Sequence, residues 1–471
     1  MHFKTIFKSF KNKDMLKRIL IVLGIVVVYR FLAHVPVPLG DSATFKEAIE
    51  NLLAKSDFSS FLNLISGGGL TSLSIILVGL SPFITASIVV QLITKAIPRL
   101  EELSQDGETG RRKINQWTRM LTVPLAIVQS ITYIFILKQS AMANTAGVIE
   151  LSASQWVLAV TAMTAGSIIL MWLGELISEQ GIGNGISMVI FASIISQFPN
   201  TFAQLFASLF DTSEGSLSLF GWLNLPVNPT VFWILLGFTV ALVVVVYFLV
   251  KLNEAQRIIT INYAKRVHGN SSYGGIKSIL PIKLIAAGVV PVIFATSFLA
   301  MPALIGQLIL TFNPGNEFVT NMINLFTAPS ASNFTTQYPN GITGEWFVYP
   351  AMYFVLVVAF TYFYTSIIFN TNEIADNLQK QGGFIEGVRP GNTTAKYLNN
   401  VVNRLNLLGS LSLGLIAMLP FITDYIFILT LGYPIGLSIS GTGLLIVVTV
   451  ALESLRQLDS RALMITYDDY K

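Results

Sequence analysis

Long apolar segments, separated by shorter polar ones, recur along the whole chain. Ten of them approach or exceed the length of about 20 mostly apolar residues with which a helix crosses a bilayer. Their approximate bounds are 19–35, 74–93, 120–137, 155–174, 185–198, 230–250, 284–311, 347–369, 405–422 and 439–452. The pattern predicts an all-α polytopic membrane protein with ten transmembrane helices. Because the number of spans is even, both termini should lie on the same side of the membrane.

The basic residues between the apolar segments predict which side each connection faces. If the N-terminus is cytoplasmic, the cytoplasmic segments hold 25 of the 29 Lys and Arg residues. The external segments then hold only Lys46, Lys55 and Lys138, and Arg30 lies within the first span. Cytoplasmic loops of membrane proteins carry this kind of excess of positive charge. The distribution supports ten spans and predicts that both termini are cytoplasmic.

Composition excludes several classes of protein. Of the 471 residues, 53% are hydrophobic and 11% are charged, whereas about 25% of residues are charged in a typical soluble domain. A water-soluble globule is therefore excluded. The chain has no cysteine, which removes disulfides and thiolate chemistry. Its three histidines fit no metal-binding spacing, and no nucleotide-binding or hydrolase motif occurs, so we expect neither an enzyme nor a cofactor.

Ionisable side chains are rare within the ten segments. Arg30 lies toward the outer end of the first, and Glu175 and Glu179 lie at the cytoplasmic end of the fourth. Proton relays and sites for charged substrates need ionisable groups inside the membrane. The sequence therefore favours a pathway that offers no specific charge. A secondary transporter of a small neutral solute is the main alternative, followed by a membrane-embedded enzyme and a scaffold subunit.

Three connections differ from simple loops. Residues 58–73 are apolar, too short to cross, and contain three consecutive glycines. They predict a re-entrant half-helix, or else an external loop that lies on the membrane interface. The cytoplasmic connections 251–283 and 370–404 are long, basic and rich in turn residues. They predict docking of a soluble partner, with contact to anionic lipid headgroups as the alternative.

Six short motifs follow one another along nearly the whole chain. They are SGGGL at 66–70, GLSPFITASI at 79–88, GETGRRKI at 107–114, GIGNGIS at 181–187, NYAKR at 262–266 and GVRPG at 387–391. In this order and topology they resemble the SecY family, which forms the channel of the bacterial protein translocon. Two positions depart from the family pattern. Ile285 stands near the start of the seventh span where asparagine is usual, and Glu386 replaces the proline that usually precedes the last motif.

The resemblance implies a fold and a set of functional residues. Two inverted five-helix halves, 1–225 and 226–471, are expected to enclose an hourglass pore, with a plug at about 58–73. The implied pore ring is Leu80, Ile84, Ile186, Ile190, Ile293 and Ile446. The implied plug residues are Phe58, Phe61, Leu64, Ser66, Gly67, Gly68 and Gly69. The implied lateral gate is Thr85, Ser87, Thr296 and Met301, and the implied docking residues for a motor or a ribosome are Lys265, Arg266 and Arg389.

The resemblance also implies a function. A protein-conducting channel of this kind translocates unfolded secretory polypeptides across the bacterial cytoplasmic membrane and releases apolar segments sideways into lipid. The expected partners are the SecE and SecG subunits, the SecA motor ATPase, the ribosome, signal sequences, nascent polypeptides and the lipid bilayer, with no DNA. An aliphatic ring suits this task because it offers no hydrogen bond or charge that could trap a particular segment. A narrow apolar ring also loses its water when empty, which blocks ions.

Overall fold

The computed structural model of the chain describes 13 α-helices, a 3-10 helix at Gly344–Phe347 and 7 strands. The described residues are 13–38, 69, 72–144, 152–210, 217–219, 223–225, 227, 229–263, 266–268, 271–273, 277–312, 315–327, 344–431 and 437–468. The helices are α1 Lys13–Leu32, α2 Ser81–Ala96, α3 Pro98–Gln105, α4 Gly107–Asn144, α5 Ala153–Gln180, α6 Gly185–Leu209, α7 Pro229–Glu254, α8 Val290–Phe312, α9 Glu317–Phe326, α10 Val348–Ile368, α11 Thr371–Lys380, α12 Asn392–Leu431 and α13 Leu437–Asp468. The strands are β1 Leu217–Leu219, β2 Leu223–Leu225, β3 Gln256–Tyr263, β4 Arg266–His268, β5 Ser271–Tyr273, β6 Lys277–Lys283 and β7 Gly383–Ile385.

Every predicted span coincides with a helix over most of its length. The ten span helices are α1, α2, α4, α5, α6, α7, α8, α10, α12 and α13. Among the described residues, five helices are long and apolar enough to cross a membrane, or six if Ser81–Ala96 and Pro98–Ser104, which meet at a bend of 110°, count as one span. The predicted helical membrane fold is confirmed.

Two predicted spans begin several residues before the helices that the structure shows. Residues 74–80 and 284–289 were expected to be helical, but they form turns and bends, and α2 and α8 start only at Ser81 and Val290. Gly79 and Gly288 explain the difference, because their φ angles of 63° and 62° lie in the left-handed region, which interrupts a right-handed helix. We call residues 72–80 the α2 lead segment and residues 284–289 the α8 lead segment.

The two long cytoplasmic connections meet in one antiparallel sheet, which the sequence did not predict. Strand β3 lies between β6 and β7, with Ile259 opposite Leu280 and Ile261 opposite Ile385. Ile259 and Ile385 are buried together with Leu398 of α12. The sequence carries no clear signal for this sheet, because β7 is only three residues long and its partner strand lies more than 100 residues earlier in the chain.

The chain forms two compact units. The first comprises residues 1–242, 296–350 and 420–471, and the second comprises residues 243–295 and 351–419. A core of the first unit gathers Leu73, Leu77, Tyr133 and Met163, while the sheet and α12 supply a core of the second. The inverted halves 1–225 and 226–471 stay a prediction.

Candidate functional site

The α2 lead segment is fixed by hydrogen bonds to its neighbours in the first unit. The N–H of Val37 donates to the carbonyl of Leu73 at 2.7 Å, and the N–H of Ile75 donates to the carbonyl of Val35 at 2.9 Å. At the other end, the Ser167 hydroxyl of α5 donates to the carbonyl of Gly79 at 2.9 Å. Non-helical backbone at membrane depth needs such partners, because lipid offers none.

Leu73 adopts an unusual backbone conformation within this segment. Its φ of 48° is the only positive value among the described non-glycine residues. A side chain in the left-handed region costs about 1–3 kcal/mol, so the surroundings must hold it there. The buried side chain packs against Val37, Leu77 and Tyr133, which provides that support.

Leu80 and Ile84 emerge directly from the lead segment. Leu80 is the N-cap of α2, and Pro82 follows in the first turn, where a missing N–H costs no hydrogen bond. The N–H of Ile84 donates to the carbonyl of Leu80 at 3.0 Å. The two predicted ring residues therefore lie one helical turn apart, on a helix start whose position the lead segment sets.

Ile186 and Ile190 lie at the start of α6, which is tied to α5 by the predicted GIGNG loop. Gly181 ends α5 in the left-handed conformation, with a φ of 68°. The Asn184 side chain caps α6 by accepting from the N–H of Ile186 at 3.1 Å. A Cβ on Gly185 would overlap the carbonyl oxygen of Gly174. Close contact with α5 thus fixes where α6 begins, and with it the position of these two isoleucines.

The α13 helix, which bears Ile446, contacts the same loop. The Ser454 hydroxyl of α13 lies 3.5 Å from the sulfur of Met188, and a Cβ on Gly183 would lie 3.0 Å from that hydroxyl. In the first unit, α2 and α6 therefore both pack on α5, and α13 packs on α6. Ile293, the sixth predicted ring residue, lies in the first turn of α8 in the second unit.

Burial separates the predicted ring from the lipid-facing side chains. Leu80, Ile84, Ile190, Ile293 and Ile446 are 1–5% exposed, and Ile186 is half-buried. Apolar side chains on outward faces are far more open, such as Val27 at 67% and Leu158 at 50%. The six ring residues are thus mostly enclosed by protein; that they share one central axis stays a prediction.

The predicted plug falls almost entirely outside the described residues. Of its named members, Phe58, Phe61, Leu64, Ser66, Gly67 and Gly68 lie outside them. Gly69 is described and buried, and its carbonyl accepts a hydrogen bond from the N–H of Ser74 at 2.9 Å. The C-terminal edge of the plug region is therefore joined to the α2 lead segment.

The predicted gate residues lie on two helices. Thr85 and Ser87 lie on α2, where Thr85 is 2% exposed and the Ser87 hydroxyl accepts from the side chain of Gln91 at 2.9 Å. Thr296 is buried on α8, and Met301 is half-buried one and a half turns later on the same helix. Their opposition across a gate stays a prediction.

The predicted docking residues lie on the connections 251–283 and 370–404, which the sheet joins. Arg389 is exposed, and its carbonyl accepts from the Thr394 hydroxyl at 2.9 Å, which fixes the backbone beneath the exposed guanidinium. Glu386, the departure from the family pattern, is also exposed. Arg266 begins β4, with only its backbone described, and Lys265 lies outside the described residues.

An apolar face of the cytoplasmic sheet was missed by the sequence analysis. Ile258 is 53% exposed, Ile279 is 60% exposed and Phe384 is 37% exposed, and all three lie on the face opposite the core. Alternation along β3 could have indicated it, since Ile259 and Ile261 are buried while Ile258 is open. Exposed apolar patches of this kind often mark interaction sites.

Two of the ionisable groups noted in the spans, Arg30 and Glu175, contact neighbouring helices. Arg30 donates to the Ser196 hydroxyl of α6 at 3.0 Å, beside the hydrogen bond of 2.5 Å between Tyr29 and Ser193. Glu175 forms an ion pair of 2.7 Å with Arg119. Within the described ranges no cluster of His, Asp or Glu could hold a metal ion. Arg30 and Glu175 thus join helices, while Glu179 lines a pocket at the C-terminal end of α5 together with Arg18 and Arg461.

Comparison with solved structures identifies proteins that share this fold. Solved structures with the same fold include "The structure of a protein conducting channel", with a TM-score of 0.63 at 18% identity, and "Sec61 in the Canine ribosome-channel complex from the endoplasmic reticulum", with 0.60 at 17%. In both, the match covers 93% of this chain and 90% of the other. The chain therefore has the polytopic helical fold of these solved structures.

Sequence comparison identifies the family. The SecY family profile matches residues 74–455. The protein translocase subunit SecY of Streptomyces coelicolor and that of Corynebacterium glutamicum are each 38% identical to this chain, over 98% of both sequences. The chain belongs to the SecY family and is a multi-pass membrane protein.

We predict that the Gly185→Ala substitution destabilises the protein. The added methyl group overlaps the backbone of Gly174, and such overpacking costs about 1–3 kcal/mol. Gly237→Ala is the matched control, because that helical glycine has nothing within 4 Å. Thermal unfolding in detergent should show a lower Tm for Gly185→Ala only; equal Tm values would contradict the close packing of α5 and α6.

Proposed function

We propose that this chain conducts unfolded polypeptides across a membrane and passes their apolar segments sideways into lipid. The observation that carries the proposal is the set of enclosed aliphatic side chains at the starts of α2, α6 and α8 and on α13, at the positions of the family's pore ring. Membership of the SecY family supports it. The family role is that of a translocation channel, not of an enzyme.

The chemistry of the ring fits an unselective passage. Leu80, Ile84 and Ile190 offer no hydrogen-bond donor, acceptor or charge, so no residue type of a substrate binds strongly. When no polypeptide is present, a narrow apolar ring holds no continuous water, and ions do not pass. Aliphatic side chains also make only non-directional contacts, which lets them pack around a moving polypeptide of any sequence.

The gate residues suit a seam that opens and closes. Thr85 and Ser87 are small and hydroxylated, and each can satisfy its hydroxyl within its own helix. A seam made of such side chains separates with little loss of packing. An apolar segment of about 20 residues then gains free energy by moving into lipid, whereas a polar segment continues through the pore.

The cytoplasmic sheet and the loop of Arg389 form the proposed docking surface. It combines the exposed guanidinium of Arg389 with the exposed apolar face of Ile258, Ile279 and Phe384. Interfaces favour aromatic and Arg side chains in this combination. We propose the SecA motor ATPase and the ribosome as its alternating partners, SecE and SecG as companion subunits, and the bacterial cytoplasmic membrane as the location.

The transporter alternative lacks support in the site. A solute-binding cradle needs polar groups directed at the substrate, but Arg30 and Glu175 are engaged with Ser196 and Arg119. The comparisons also find channel proteins of the SecY and Sec61 type.

Replacing Ile190 by Asn should open the resting channel. The amide attracts water into the ring, so we expect the ion conductance of the reconstituted translocon without substrate to rise about tenfold, which corresponds to about 1.4 kcal/mol. Export of a reporter with a weakened signal sequence should rise in parallel. Ile190→Leu, which keeps the ring aliphatic, is the control; equal conductance of both variants would contradict the ring assignment.

Replacing Arg389 by Glu should impair motor-driven secretion. Reversing an exposed charge at a docking site opposes a complementary partner surface, and we expect secretion to slow about tenfold while the amount of the channel stays constant. Lys396→Glu makes the same charge change at another exposed cytoplasmic position. If secretion rates of the two variants were the same, Arg389 would have no special docking role.

A further inference from the structure

The starts of α2 and α8 repeat one local design. Residues 79–84 read GLSPFI and residues 288–293 read GVVPVI, so both follow the pattern Gly-x-x-Pro-x-Ile. In each, the glycine has a φ near 60°, the helix begins two residues later, and proline is the second helical residue. The isoleucine that closes each pattern is a predicted ring residue, Ile84 in one unit and Ile293 in the other.

The repeat extends to the backbone hydrogen bonds. The N–H of Ile84 donates to the carbonyl of Leu80 at 3.0 Å, and the N–H of Ile293 donates to the carbonyl of Val289 at 3.3 Å. Ile75 and Leu284, each four residues before the glycine, donate their N–H groups to Val35 and Ala255 at 2.9 Å. The two lead segments thus share the conformation of the glycine, the way the helix begins and a backbone attachment four residues before the glycine.

A helical glycine contacts each lead segment at the equivalent place. A Cβ on Gly166 of α5 would overlap the carbonyl oxygen of Ile75 and lie 2.7 Å from its carbon. A Cβ on Gly409 of α12 would overlap the carbonyl oxygen of Leu284 and lie 3.1 Å from its carbon. Any larger residue would push the lead segment away, because the atoms that it meets are rigid backbone.

A buried serine follows each of these glycines, and here the two units differ. Ser167 is 2% exposed and donates to the carbonyl of Gly79 at 2.9 Å. Ser410 is fully buried, but it donates to the carbonyl of Leu407 in its own helix at 3.1 Å. The α2 lead segment is therefore held by close packing and a side-chain hydrogen bond, whereas the α8 lead segment lacks the equivalent bond from Ser410.

We propose that Gly166, Ser167 and Gly409 are positioning residues that set the closed state of the pore ring. They hold the lead segments, and the lead segments set where Leu80, Ile84 and Ile293 lie. This inference rests on the ring of the proposed function and names what holds three of its members in place.

Alanine substitutions of helical glycines test the packing part of the proposal. In the reconstituted translocon without substrate, Gly166→Ala and Gly409→Ala should each raise the ion conductance about tenfold, because the displaced segment carries a ring residue with it. Gly24→Ala and Gly237→Ala are the matched controls, since both glycines lie within helices and have nothing within 4 Å. Conductance at the control level in both test variants would overturn the proposal.

Alanine substitutions of the two serines test it without added bulk. Ser167→Ala leaves the buried carbonyl of Gly79 without this donor, so we expect conductance and export of a signal-defective reporter to rise about three- to tenfold. Ser410→Ala removes only a bond within one helix and should leave both unchanged. Thr164 lies on the same helix as Ser167, and its hydroxyl makes a buried contact of 3.4 Å with Ser130 of α4. Thr164→Ala removes this contact and should also have no effect. Equal behaviour of the Ser167 and Ser410 variants would overturn the role of Ser167 even if a glycine variant accumulated poorly.

Ile190→Asn, measured in the same series, distinguishes a failure of the ring assignment from a failure of the positioning proposal. If that variant conducts ions while the glycine and serine variants do not, the ring stands and the positioning proposal fails. If none of them conducts, the ring assignment itself fails.

Discussion

The structure depends on one constraint, which is that backbone polar groups at membrane depth must be bonded within the protein. Both α2 and α8 begin late, so each leaves a stretch of non-helical chain in a predicted span. Lipid offers no hydrogen-bond partner to that backbone. Neighbouring backbone groups and, in the α2 lead segment, the Ser167 hydroxyl supply hydrogen bonds instead. Gly166 and Gly409 let α5 and α12 pack closely against the two segments, and these contacts together fix where each helix starts.

Fixing the helix starts through the lead segments separates two requirements that conflict in a channel for polypeptides of any sequence. The passage must not bind any side chain strongly, which an aliphatic lining achieves. A precise closed state nevertheless needs directional contacts. In this chain hydrogen bonds and close glycine contacts occur in the lead segments and in the loop around Gly185, while Ile84 and Ile190 present only apolar groups. In the proposed channel, polar contacts therefore shape the pore without lining it.

Sequence reasoning predicts the parts of this arrangement that depend on composition and charge. The ten apolar segments and the asymmetry of Lys and Arg indicate the membrane fold, and the motifs indicate the ring positions. Hydropathy fails at residues 74–80 and 284–289, because buried irregular chain is as apolar as helix, and only the conformations of Gly79 and Gly288 distinguish them. The pairing of β3 with β7 was also missed, since a three-residue strand carries no periodic signal and its partner is distant in sequence.

Cross-linking of a stalled secretory polypeptide tests the central claim most directly. The chain has no cysteine, so single cysteines at Ile84, Ile190, Ile293 and Ile446 can each be paired with a cysteine in the stalled substrate. The account predicts disulfide cross-links from all four positions and none from cysteines at the outward-facing Val27 and Leu158. Cross-links only from the outward positions, or from none of the ring positions, would contradict an aliphatic ring that surrounds the moving polypeptide.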